Sequence, residues 1–215
     1  MRLPVIAPEE MDERQREIGA RIAGRRGAVR GPYRVWLRSP ELCELVEALG
    51  AYCRFESSLP LRLRELSLLM AARHRDAQYS WNAHVDKAVE SGIPRAAVEA
   101  IAARREPEFG SAADAAFYRF CHELLEDRFV TEDTFRAALE HFGPRGLVDA
   151  VGALGNFTML GMLLNAFEVD LQPDRTPPFP DVRGYGRVEP GRENPAESAT
   201  EDDAGDAPQY RPDET

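Results

Sequence analysis

The chain has 215 residues and a formal charge of −10 at pH 7, with 43% hydrophobic and 30% charged residues, a size and composition suited to one sizeable core plus an arm or tail. Its longest unbroken apolar runs fall short of the roughly 20 residues that span a bilayer, which argues against a membrane protein. Residues 187–215 carry nine acids against three arginines, leaving about −4 for the rest, and neither part offers the basic stripe of a nucleic-acid binder.

A first helix is expected over residues 12–24, with Ile18 and Ile22 four apart and glycines at its end. After a basic loop, Arg25 to Pro32, the spacing predicts a short helix from Tyr33. Ser39-Pro40-Glu41 then restarts the chain, with serine placed to cap and proline in the first turn. Leu42, Leu45, Val46 and Leu49 form a helical stripe that runs to about Phe55. The next helix opens at Ser57-Ser58-Leu59-Pro60 and is apolar on nearly every side, so it belongs at the centre of the fold. Further helices are predicted over 77–91, 94–104 and 112–127.

Thr131-Glu132-Asp133-Thr134 signals a helix that ends near Phe142, where Gly143-Pro144 breaks the chain before a long apolar helix to about Phe167. No strand pattern competes, so the fold class is all-α. Prolines 173, 177, 178 and 180 end the helical region. Phe179 and Tyr185 give this arm its anchors, on the domain or on a neighbouring subunit, and 187–215 has the composition of disorder. The expected division is a helical domain over 1–172, a Pro-rich arm over 173–186 and an acidic tail over 187–215.

Cys43, Cys53 and Cys121 are odd in number and widely spaced, which suggests buried free thiols rather than a disulfide framework or a zinc site. The N-terminus turns acidic before any signal-peptide core, and the expected location is cytoplasmic. His74, His122 and His141 form no ligand cluster with acids, and no phosphate loop or dinucleotide fingerprint is present. Neither a metal nor another cofactor is therefore expected.

Glu65 lies among leucines, and burial would raise its pKa toward the range useful for proton transfer. The alternative is a structural ion pair with Arg62, Arg64 or Arg73. His84 shares a helix face with Ala77, Ser80 and Ala88, small neighbours that leave space above the imidazole. It can donate or accept a proton near neutrality, with Ser80 in reach of it or of a ligand, or it can be a satisfied core histidine.

The run Leu63-Arg64-Glu65-Leu66-Ser67-Leu68-Leu69-Met70-Ala71-Ala72-Arg73, followed by Tyr79-Ser80-Trp81-Asn82-Ala83-His84, resembles the core signature of carboxymuconolactone decarboxylase-like proteins. Arg30-Gly31-Pro32, Ser39-Pro40-Glu41-Leu42, Ser57-Ser58-Leu59-Pro60 and Asn156-Phe157-Thr158-Met159 are similar to the longer members, so the resemblance spans about residues 2–172. It implies a single-domain helical bundle of the alkyl hydroperoxidase D-like type with an extended C-terminal arm, typically oligomeric, acting on a small molecule without a cofactor.

The thiol peroxidases of this family use a glutamate, a C-x-x-C pair and a histidine. The matching positions here are Glu65, Ala77, Ser80 and His84, so the acid–base pair is kept and both cysteines are gone, which removes peroxide chemistry. The decarboxylases imply that His84 delivers a proton to carbon, Glu65 orients it or relays protons, and Ser80, Trp81, Tyr79 and Arg30 shape the pocket or hold the acid. A lyase, isomerase or lactone-processing step on another substrate is the enzymatic alternative, and a non-catalytic ligand-binding oligomer is the other.

Overall fold

The computed structural model describes residues 1–172 and 174–180, and among them it has helices and no strand. In chain order these are α1 (Glu13–Arg26), α2 (Tyr33–Trp36), α3 (Pro40–Ala51), α4 (Leu61–His74), α5 (Gln78–Glu90), α6 (Arg95–Ala102), α7 (Ala112–His122) and α8 (Glu132–Ala166). Met1–Phe179 form one compact unit, and of the second, Pro180–Thr215, only Pro180 is described. The expected anchor at Tyr185 and the acidic tail lie outside the described residues.

α1 starts where Asp12 and Gln15 cap each other: the Asp12 carboxylate accepts from the Gln15 amide at 2.7 Å and the Gln15 side chain accepts from the Asp12 amide at 3.0 Å. Its Ile18 and Ile22 are fully buried. α4 takes the central place that its all-round leucines require. Leu63, Leu66, Leu69 and Ala71 have no exposed surface, and α5, α6, α7 and α8 all pack against it. Deep burial of this kind excludes water from any polar group that α4 carries, so each one needs a partner within the protein.

α8 is two helical segments joined at Gly143, whose φ of 64° and ψ of 176° suit glycine almost alone. Pro144 then falls in the first turn of the second segment, as the sequence predicts. An 18-residue window of α8 is apolar enough by composition to cross a membrane, but 56% of it is buried inside the domain. It behaves as a core helix, with its Leu147, Ala150, Leu154 and Phe157 packed into the same cluster as α4.

α3 and α7 do not stop as regular helices. Each runs on into a π-helical turn, Tyr52–Glu56 and Glu123–Asp127. A π turn widens the helix by one residue and re-aims the side chains around it, and such turns are frequent at functional sites.

The arm lies on the domain as far as Phe179. Gln78 donates to the Phe179 carbonyl and Asn82 to the Thr176 carbonyl, both at 2.8 Å, while Arg175 pairs with Asp86. The Phe179 ring meets Trp81 edge-on, with the Arg73 guanidinium 4.5 Å over its centroid.

Candidate active site

Glu65 projects from the second turn of α4 and His84 from the second turn of α5, and packing of the two helices brings them together. His84 Nδ1 lies 2.7 Å from Glu65 Oε2, with the two residues only 9% and 6% exposed. The three arginines that could have neutralised Glu65 are engaged elsewhere. Arg62 pairs with Asp114, Arg64 donates to three backbone carbonyls and Arg73 pairs with Asp76. The carboxylate is therefore held by the histidine and not by a structural arginine pair.

The ionisation of Glu65 runs opposite to the sequence expectation. Burial does push the carboxyl upward, but the His84 hydrogen bond and the nearby charges of His84, Arg54 and Lys87 outweigh it and hold the pKa below its ordinary value. For His84, burial lowers the pKa, Glu65 opposes that, and Arg54 and Lys87 add to the lowering. At neutral pH the pair is therefore a carboxylate and a neutral imidazole. An ionised carboxylate only accepts, so the proton between them sits on Nδ1 and Nε2 carries a lone pair.

A ¹⁵N spectrum of histidine-labelled protein at pH 7 should show His84 protonated at Nδ1 and bare at Nε2. The midpoint of double protonation should lie below the 6.5 of a free histidine, since the folded pKa is depressed. An Nε2–H tautomer at pH 7 would contradict this assignment.

His84 forms part of the wall of a cavity of about 430 Å³, together with Ser80, Tyr79 and Arg30. The loop that supplies Arg30 is held close by Gly31, at φ 53°, where a Cβ would overlap the Tyr79 hydroxyl. Four of the predicted site residues thus meet in one place, and Glu65 stands behind His84, lining an adjoining depression. Ser80 lines the cavity beside His84, and no hydrogen bond joins its hydroxyl to the imidazole.

Trp81 does not belong to this group. It is buried in the hydrophobic core and meets Phe179 of the arm edge-on. One residue advances about 100° around a helix, so with Tyr79, Ser80 and Ala83 on the side of the cavity, Trp81 falls on the side that faces the core.

Two residues not singled out from the sequence complete the site. Arg54, in the π turn after α3, and Lys87, one turn beyond His84 on α5, line both the cavity and the adjoining depression. Lys87 was within reach of the helical pattern, being seven residues after Ser80 and three after His84. Arg54 had no such signal, because an inserted π residue breaks the 3.6 period. Among the described residues, the cavity has no carboxylate in its lining. Arg25 and Arg26 reach Glu47, but among the described residues Arg30, Arg54 and Lys87 have no ion-pair partner. Cations grouped in this way around an acid–base pair give the cavity a positive potential.

The cysteines are elsewhere. All three are buried and free. Burial raises the Cys43 thiol to about 11 and moves Cys53 and Cys121 upward as well.

The all-α domain, with its buried Glu–His pair beneath a basic cavity, has the fold of alkyl hydroperoxidase D-like helical proteins. Residues 40–122 match the model of the Carboxymuconolactone decarboxylase family, and over that stretch the chain is similar to it. No curated protein matches its sequence.

Solved structures share the fold at low identity. The alkylhydroperoxidase AhpD core of an uncharacterised peroxidase-related protein from Ralstonia eutropha superposes with a TM-score of 0.66 at 15% identity, covering 80% of this chain and 93% of that one. An uncharacterised peroxidase-related protein from Silicibacter sp. gives 0.62 at 15% identity over 81% and 92%. A protein of unknown function from Agrobacterium tumefaciens gives 0.58 at 18% identity over 67% and 100%.

Proposed function

We propose that this chain is a cofactor-free decarboxylase that acts on a carboxylated lactone or a related small cyclic acid through Glu65 and His84. The observation that carries the reading is the juxtaposition of a Glu–His pair with Arg30, Arg54 and Lys87, cations that have no ion-pair partner among the described residues and line a cavity with no carboxylate among its described lining residues. Thiol peroxidase chemistry is no part of it, since Ala77 and Ser80 stand where a redox pair would be needed.

Loss of carbon dioxide from a γ-carboxy lactone leaves an electron pair that spreads into the conjugated lactone carbonyl, so the ring is its own electron sink. The protein has to hold the carboxylate out of the ring plane, stabilise the developing dienolate oxygen and return a proton to carbon. In this scheme Arg54 and Lys87 hold the anion beside His84. A bound anion offsets their charge, removes part of the downward pressure on the imidazole and lets Nε2 take up the proton that it later delivers. Glu65 fixes the ring through Nδ1 and stabilises the transient imidazolium.

A panel of carboxylated lactones should reveal at least one that releases carbon dioxide in the presence of the protein. Arg54→Ala should raise KM about 10- to 100-fold, the loss of a charge-assisted contact, with the helical circular dichroism intact. Absence of carbon dioxide from every γ-carboxylated lactone would overturn the reading.

A further inference from the structure

A decarboxylation ends on a general acid, yet the site rests as a base. His84 Nδ1 and the Glu65 carboxylate are 2.7 Å apart; a carboxylate only accepts, so Nδ1 is the donor and the nitrogen left for a ligand in the cavity is an Nε2 lone pair. With carbon dioxide as the departing group, that lone pair must first collect a proton from solvent. With a proton as the departing group it is already in the right state.

The two departures lead to the same intermediate. Removing either carbon dioxide or H⁺ from the γ-carbon of a conjugated five-membered unsaturated lactone leaves one and the same dienolate, its charge on the lactone oxygen. Arg54 and Lys87 suit that oxygen equally in both cases, being cations beside His84 with no ion-pair partner among the described residues.

We propose that the site is also a butenolide isomerase, acting on lactones that carry hydrogen where the decarboxylation substrate carries its carboxylate, with a carboxylate arm elsewhere held by the cavity's arginines. The γ-C–H bond breaks and its proton goes to His84 Nε2. The C–H electron pair moves through the ring to the carbonyl oxygen. The imidazolium then returns a proton to the α-carbon, and the double bond has moved from the α,β to the β,γ position. Nothing is oxidised or reduced, no co-reactant is needed, and His84 ends as it began. The inference rests on the acid–base reading of the site given above and asks which electrofuge that base serves.

The test is proton NMR of the full-length protein with a butenolide bearing hydrogen and a carboxymethyl arm at its γ-carbon, beside the γ-carboxylated counterpart assayed for carbon dioxide. Shift of the double bond should proceed on the order of 10²- to 10⁴-fold faster than in buffer and fall to the buffer rate in His84→Asn and His84→Ala proteins of unchanged circular dichroism. Carbon dioxide release without isomerisation would overturn this proposal and leave the decarboxylase standing. Isomerisation without carbon dioxide from any carboxylated lactone would uphold the proposal and remove the decarboxylase. An isomerisation rate that survives both His84 substitutions would overturn the proposal, and silence in both assays would remove both.

Discussion

His84→Ala protein will turn over its substrate about 10²- to 10⁴-fold more slowly than the parent, the usual contribution of a positioned proton-transfer group, while its helical circular dichroism stays the same. The imidazole is the one group that combines a held tautomer with access to the cavity. Arg54 and Lys87 remain beside Glu65 to balance its charge when the ring is gone. Glu65→Gln separates two roles of the carboxylate. The amide oxygen can still accept from Nδ1, so the ring keeps its orientation, but the negative charge that stabilises an imidazolium is lost. A drop in kcat of the same order with little change in KM is expected. Unaltered turnover in both variants would sink the mechanism.

The second large effect falls on stability. Asp149, buried on α8, accepts hydrogen bonds from the Tyr52 hydroxyl at 2.8 Å, the Ser58 amide at 2.7 Å and the Ser58 hydroxyl at 2.6 Å. It thereby ties the second half of α8 to the π turn and to the entry of α4. Asp149→Ala leaves these donors without their acceptor, at a cost of about 2–4 kcal/mol, which corresponds to a fall in Tm of roughly 5–15 °C for a domain of this size. Burial pushes the carboxyl upward, but Ser58, Tyr52 and Arg145 bring it below its ordinary 3.8. Its contribution is therefore present above that value and is lost as pH falls through the lower folded pKa. Thermal melts at pH 7 and at pH 3 should show the gap between parent and variant narrowing in acid. A Tm within 2 °C of the parent at pH 7 would count against the role given to Asp149.

Much of this was legible in the sequence because it rests on period and punctuation. The central place of α4 follows from leucines on every side, the break in α8 from Gly143-Pro144, and the meeting of Glu65 with His84 from the matching of two motifs. The parts that were not legible have physical reasons too. Burial of Glu65 among leucines suggests a raised pKa, and only the three-dimensional positions of His84, Arg54 and Lys87 show that the charge environment wins. Trp81 reads as a site residue when the motif is taken as a string, whereas helix geometry turns it into the core. Arg54 was hidden because its approach depends on a π turn, and sequence periodicity carries no sign of one inserted residue.

That turn also bears on how such a site changes over time. A π turn is an α-helix with one residue added, so a single-codon deletion within Tyr52–Glu56 would restore a regular helix and rotate Arg54 by about 100°. The cavity would lose a cation while Glu65 and His84 kept their places. The charge of this cavity can therefore be changed by an indel in one helical turn, a route that leaves the Glu65–His84 pair untouched and that a comparison of substitutions alone would miss.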